Sequence, residues 1–514
     1  MTEVDVVIVG AGHNGLVAAT LLAKRGLRVE VLEAASQVGG ACKTEYPFSK
    51  APGVGQSTGA YLLGLMPPEL MAELDVSFPL IRRDPHYFLP TTESGYLLFG
   101  SDAPETRAQI AARFSDRDAR ADEALQLELA ALREDVAPSW LAEPMSVEET
   151  AARYVRPALR EPFISLCRGS VREYLARFGF ESELLEAMYA VTDGLTGLSG
   201  DANSAGSGMN FLVHNLCRLP SSDGTWMVVR GGMGTVTRAL AGAALRAGAS
   251  IAVDARVAAV DVSDGTVDGV TTESGRFIRA EIVLCNADPF EMRRLLGDAC
   301  PSSLVDRVDD YAVPGRSVKV NLCLRDLPVF RCLPEDRGQH GATIHLLPEE
   351  DTMARLTASF TASEEGRLPE DPSIEWYIHT TLDPSLRDDR GRHSSALFVQ
   401  WVPYALSDRS WPDAESEFVD SLLAICDRFA PGTSALVDDV FVLTPPKIES
   451  HFGITGGHIH HVDHRFAFDE RLPYRQPVAG LYACGAGCHP AGSVIGAAGH
   501  NAAASVLRDL AIVS

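Results

Sequence analysis

The chain is short of basic residues. Lys and Arg number 45 against 69 Asp and Glu in 514 residues, a formal net charge of −24. Such a surface is repelled by nucleic-acid phosphates and by anionic lipid headgroups, and no basic run offsets it, so nucleic-acid binding is not expected. Long apolar runs are also missing. The most apolar stretches, around 10–23 and 478–507, are rich in Gly and Ala and broken by His, Asn or Pro. Neither supplies the roughly 20 apolar residues of a transmembrane segment. Cysteine is scattered, with ten residues and no Cys-x-x-Cys pair. That excludes a disulfide framework and a zinc ribbon, and points to reduced thiols in a cytoplasmic protein. The first residues, Met-Thr-Glu-Val-Asp, lead straight into a strand, with no basic segment before a short apolar core. No secretory signal is expected. What is present is ordinary: 46% hydrophobic and 22% charged residues. This rules out a disordered chain, a collagen-like fibre and a coiled coil. The length suits about three domains, or two large interwoven ones.

Residues 4–9 form a short apolar run rich in β-branched residues, followed by Gly10-Ala-Gly-His-Asn-Gly15. Leu16 to Arg25 has helix composition and stops at Gly26, and residues 28–33 form a second strand. This β-turn-α-β order suits the middle of a parallel sheet. Residues 102–190, rich in Ala, Leu, Glu and Arg, read as several amphipathic helices. Gly231-Gly-Met-Gly234 precedes a helix from about Thr235 to Ala247. Short strands with polar turns occupy 250–284, and Ser317 to Leu324 reads as another strand. The tail, 478–510, is a strand, a Gly-rich loop and an Ala-rich helix. With dinucleotide-type elements in three separated blocks, the fold class expected is α/β, α+β overall. A discontinuous Rossmann-like domain (1–75, 225–300 and 456–514) interleaves with a mixed-sheet and helical substrate domain (76–224 and 301–455).

Three motifs carry chemistry. In the first, Gly10 permits a tight turn, Gly12 lets the backbone approach a pyrophosphate, and Gly15 lets helix and strand pack closely. His13 and Asn14, at the helix N-terminus that favours phosphate charge, belong to the same loop. Glu33, 18 residues beyond Gly15, is placed to accept hydrogen bonds from a ribose diol. The second motif is the double glycine Gly39-Gly40 just after the second strand, which resembles that of enzymes that bind an extended FAD more than that of nicotinamide enzymes. The third runs from Leu481 through Gly485 and Gly487 to Gly492-Ser-Val-Ile-Gly496. There Gly485, Ser493, Val494 and Ile495 would present backbone N–H groups and small residues to a flavin ring. Only one complete GxGxxG follows a strand, so a second nucleotide cofactor is not expected.

These motifs, in this order, resemble the FAD-dependent amine oxidase and phytoene desaturase superfamily. The closer likeness is to the branch of pyridine-nucleotide-disulphide-oxidoreductase-domain proteins and desaturase-like carotene ketolases. Similar passages include Ser317-Val-Lys-Val-Asn321, Leu443-Thr-Pro-Pro446, Phe452-Gly-Ile-Thr-Gly-Gly457 and Cys484-Gly-Ala-Gly-Cys-His-Pro490. The family usually carries a basic residue after the double glycine; here Ala41 and Cys42 follow. The resemblance implies FAD as cofactor, and it places Val257 where a strand backbone meets the adenine.

In Ser317 to Leu324, Val318, Val320, Leu322 and Leu324 share one face, and Ser317, Lys319, Asn321 and Cys323 the other. Lys319 is therefore either solvent-facing or poised in a cleft, and its position resembles that of a lysine near flavin N5 in amine-oxidase relatives. His489, beside the expected flavin edge, is a candidate for proton traffic. His458, His460, His461 and His464 read as an active-site wall or a polar surface, with no metal expected. The function expected is FAD-dependent oxidation by hydride transfer from an apolar or bulky small molecule, reoxidised by oxygen or a quinone. Tyr61 to Met66 and Asn210 to Val213 fit such a substrate or the core. The alternatives are a redox-neutral flavin-dependent isomerase and a non-catalytic FAD-fold binding protein. An oligomer is compatible with the sequence.

Overall fold

Four consecutive buried residues, Val6–Val9, leave no polar face for solvent, so this strand belongs inside a sheet covered on both sides. In the computed structural model, which describes residues 2–511 apart from the side chains at 2, 192 and 193, it is the central strand of a five-stranded parallel sheet. The order is Leu481–Ala483, Ile282–Cys285, Val6–Val9, Val29–Leu32, Ser250–Ala252. Val6 pairs with Val29 on one side and Ile282 on the other. Helices His13–Lys24, Gly234–Ala247 and Ala497–Asp509 pack together beside it. Two glycines permit this approach. A Cβ on Gly15 would stand 2.3 Å from the Gly10 carbonyl oxygen, and one on Gly499 would stand 2.0 Å from that of Asn14.

Within the expected strands of 250–284, Val257–Ser263 pairs with Thr266–Thr272 as a hairpin. It sits in a separate four-stranded sheet with Phe277–Arg279 and Thr2–Glu3.

The second large sheet has seven strands. Ser317–Leu324 lies between Val437–Leu443 and His393–Gln400, followed by Ile374–Tyr377, Thr343–Leu346, Tyr87–Pro90 and Tyr96–Phe99. All its strands come from 76–224 and 301–455, and all five parallel strands come from the other three blocks. The expected helical region starts with Ala103–Arg113 and Asp116–Val136 and continues through Glu183–Tyr189. Ser146 and Ser170 each open a helix with a reciprocal capping box, satisfying N–H groups the helix cannot. Among the described residues no helix is long and apolar enough to cross a membrane.

Candidate cofactor and substrate site

A cavity of about 580 Å³ runs from the Gly10 loop to the face of the seven-stranded sheet, a size typical of ligand sites. Its first end is the dinucleotide cradle. Gly10 holds φ at +98°, and a Cβ on Gly12 would press 2.8 Å from Asn286 Nδ2. Gly12 is also the N-cap of His13–Lys24, and no side chain caps that helix. Its first N–H groups are therefore free for an anion. Glu33 stands at the end of its strand, 8% exposed. Its two carboxylate oxygens accept from the main-chain N–H of Ala11 (2.8 Å) and Ala35 (2.9 Å), which aims the carboxylate into the cavity lining. Gly39, Gly40, Arg256 and Val257 line the same end. Buried polar atoms of the lining lack a partner: His13 Nε2, Asn14 Oδ1 and His461 Nδ1. Burial, with nearby His461 adding to it, holds the His13 imidazole down at about 4, so it is neutral at pH 7. The glycine cradle, the open helix end and these orphaned atoms fit an FAD.

The middle of the cavity is where the two sheets meet. The Ser317–Leu324 strand divides as its alternation implies. Val318, Val320, Leu322 and Leu324 enter the core of the seven-stranded sheet. On the other face Lys319 Nζ donates to the main-chain carbonyls of Ser57 (2.5 Å) and Gly59 (2.7 Å), and lies 4.5 Å from the Tyr61 ring centroid. Asn321 Oδ1 accepts from Gln56 Nε2 at 2.8 Å. Lys319 is 3% exposed. Burial pushes its ammonium well below the usual lysine range, against the pull of the carbonyls and the ring. Lys319 therefore fills the cleft position rather than the solvent-facing one, and it also pins the 57–61 segment.

The far end is aromatic. Tyr61, Tyr377, Phe398 and Trp226 form its walls, the Tyr61 and Tyr377 rings 4.4 Å apart. Tyr377 donates its hydroxyl to Glu375 Oε2, and Thr196 donates to Glu375 Oε1 at 3.1 Å. Burial raises the Tyr377 phenol well above its usual value, so it stays protonated. Of the apolar segments considered from sequence, Tyr61 and Leu62 line the cavity. Leu63 and Met66 instead join the core of the parallel sheet, and Phe211 to Val213 the helical core.

Four predicted residues fall outside the lining. Gly15 serves helix–strand packing, as its spacing implied. Gly485 packs on the backbone, where a Cβ would meet the Ala287 carbonyl oxygen at 2.7 Å. Ile495 is buried in the helical core. His489, expected at the flavin edge, is turned away. Its Nε2 lies 3.1 Å from the Ser139 carbonyl oxygen, its ring stands against Phe468, and burial keeps it neutral at about 4. It is a core histidine there, and a proton-traffic role has no geometric support. Ser493 and Val494 do line the cavity. The helix was expected to open near them, but it begins at Ala497. Ser493 and Val494 instead take φ of +74° and +58°. For a β-branched residue this conformation is held by its surroundings and marks a ligand-facing loop. Gly231 to Gly234 also lies outside the lining. It docks on Thr44 and Ser57, whose hydroxyls accept from the Gly234 and Met233 N–H groups.

The histidines of 458–464 form no strand. His458 pairs with Asp463 at 3.2 Å, His460 Nε2 meets the Thr196 carbonyl at 2.8 Å, and His460 and His464 stack at 4.0 Å. His460 and His461 wall the cavity. Among the described residues no group of three or more His, Cys, Asp or Glu could hold a metal ion. Cys484 and Cys488 are buried away from the lining, and burial pushes the Cys488 thiol up to about 12. Sequence reading missed Glu375, Tyr377, Arg83, Trp226, Phe398 and His214, all in the lining. They sit in no motif. Glu375 had one signal, an acid in the otherwise apolar and aromatic Ile374–Tyr377 strand.

Comparison with known proteins gives the family. The profile of the flavin containing amine oxidoreductases matches residues 15–305. The pyridine nucleotide-disulfide oxidoreductase domain-containing protein 2 of Mus musculus is 33% identical, covering 99% of this chain and 94% of its own. The 1-hydroxycarotenoid 3,4-desaturase of a Flavobacterium is 24% identical, covering 95% of each. Among solved structures, an oxidoreductase from Methanosarcina mazei superposes with a TM-score of 0.62 at 17% identity (98% of this chain, 100% of that one). A variant of putrescine oxidase superposes at 0.60 and 19%, over all of both chains. With a match over more than half its length and a relative one-third identical from end to end, the chain belongs to the flavin containing amine oxidoreductase family and is an FAD-dependent oxidoreductase.

Proposed function

We propose that this protein oxidises a bulky, largely apolar small molecule by hydride transfer from a C–H or C–N bond. The observation that carries this is the continuity of the cavity from the glycine cradle, past Lys319, to the aromatic end. FAD, when bound, supplies the hydride acceptor, and the protein orients and tunes it. Glu33 would accept from the ribose hydroxyls, and the Gly10–Gly12 loop and the helix end would hold the pyrophosphate. Gly39, Gly40, Ser493 and Val494 would hold the remainder. Tyr61, Tyr377, Trp226 and Phe398 would exclude water from the substrate and set its plane. Lys319 would place a donor at the centre of the cavity, and a proton released from substrate would reach Glu375 through the Tyr377 hydroxyl. Two relatives carry apolar terpenoids in their names, a limonene dehydrogenase polypeptide of Castellaniella defragrans and the hydroxycarotenoid desaturase. They support an apolar substrate class here; oxygen or a quinone as electron acceptor and a cytoplasmic location belong to the same proposal. The test is anaerobic mixing of the purified yellow protein with candidate apolar amines, alcohols and polyenes. Bleaching of the flavin band by one of them is the expected result. A protein bleached by none, yet converting one to its isomer, overturns it.

A further inference from the structure

Arg83 is buried, 2% exposed, and lines the aromatic end of the cavity. Its Nε donates to the Trp226 carbonyl oxygen at 2.8 Å and its Nη1 to Thr343 Oγ1 at 2.6 Å. Both acceptors are neutral. Among the described side chains no carboxylate forms an ion pair with the guanidinium and no acceptor meets Nη2. Glu375, in the same cavity, receives the hydroxyls of Tyr377 and Thr196 instead. Burying a charge without a counter-ion is costly, and removing one partner of a buried pair is strongly destabilising. A guanidinium remains charged at any ordinary pH, so it cannot escape the cost by losing its proton. Its field reaches its neighbours. Burial, with Arg83 second, holds His86 and His345 down at about 3. That field acts across this end of the cavity, and the glycine cradle that suits a pyrophosphate is at the other end.

We infer that Arg83 is the docking site for an anionic group of the substrate, a carboxylate by the planar fork geometry it offers, so that the substrate is an apolar or aromatic acid. This rests on the oxidoreductase reading above and narrows its substrate class. Charge-assisted pairing at a guanidinium gives both affinity and orientation. With the acid fixed at Arg83, the apolar body of the substrate lies along Tyr61, Tyr377 and Phe398 toward the centre of the cavity.

The test uses the FAD-loaded protein with benzoate as probe and benzamide as its neutral isostere, followed by calorimetry and by the change in the flavin absorption band. Benzoate should bind at least about tenfold more tightly than benzamide, the lower end of what a charged hydrogen-bonded pair supplies. Arg83→Met should bring the two ligands within about threefold, and Arg83→Lys, which keeps charge but not the fork, should fall between. Equal binding of the two ligands to the wild type, no benzoate binding at millimolar concentration, or a preference that survives in Arg83→Met overturns the inference. If Arg83→Met does not fold, the wild-type comparison and Arg83→Lys decide it alone. Failure of the flavin reading looks different: the protein carries no visible flavin band, while calorimetry still reports whether benzoate is preferred.

Discussion

Replacing Glu33 by Gln tests the cradle directly, because the structure gives this carboxylate two duties. Inside the protein, Oε2 and Oε1 each accept one buried main-chain N–H, from Ala11 at 2.8 Å and Ala35 at 2.9 Å. A Gln amide of the same shape has one acceptor oxygen and one donor nitrogen, so one N–H is left facing a donor. An orphaned buried donor costs about 1–3 kcal/mol, and the apo-protein should be destabilised by that amount. Toward the ribose, the variant loses charge-assisted hydrogen bonds worth about 1.5–3 kcal/mol. FAD affinity should therefore fall about tenfold to a hundredfold. The two effects separate experimentally. Urea unfolding of the apo-protein reads the first, and calorimetric titration of the apo-protein with FAD reads the second. An affinity within twofold of wild type places the ribose away from Glu33. An unchanged apo stability refutes the claim that its two oxygens hold the loop.

Lys319→Met should leave FAD bound but slow either flavin reduction by substrate or reoxidation by about two to three orders of magnitude, the value of one preorganised donor. Stopped-flow rates within twofold in both half-reactions would reduce Lys319 to a clamp on the 57–61 segment. Micromolar NADPH should not bleach the flavin rapidly, since only one GxGxxG loop caps a parallel strand; stoichiometric bleaching would contradict this. Burial holds His13 and His489 at about 4 and His86, His345 and His379 at about 3. The unfolded chain binds these protons near pH 6.5, so below that pH it takes up more protons than the native state. Stability should then fall on acidification, by up to about 1.4 kcal/mol per pH unit for each histidine. A urea midpoint that stays flat from about pH 7 to 5 would show that these imidazoles titrate freely.

The cradle was legible in sequence because its chemistry is local. Gly10, Gly12 and Glu33 lie on consecutive elements, and their spacing alone brings the carboxylate to the loop. Lys319 was half legible. Alternation showed it opposed to Val318 and Val320, but its partners at Ser57 and Gly59 come from a distant loop that only the tertiary fold delivers. Arg83 and Glu375 left little trace. A lone charge in an apolar stretch reads as a surface residue until the tertiary structure closes around it. His489 misled for the opposite reason. Its loop is the expected one, but the ring swings to the Ser139 carbonyl, a choice made by the packing of Phe468 and the 137–141 turn.

The order of strands in the parallel sheet bears on how the protein must be made. Val6–Val9 leaves the ribosome well before Ile282–Cys285, one of its two flanking strands, and before Leu481–Ala483, an edge strand of the sheet. At about 5–20 residues per second the first of these arrives only after tens of seconds. During that interval a wholly apolar, unpaired strand edge is exposed in the nascent chain, the kind of segment that associates with other chains. Synthesis therefore depends on something shielding it, and fragments cut short before residue 282 should be found in inclusion bodies or bound to chaperones rather than as a free cofactor-binding domain.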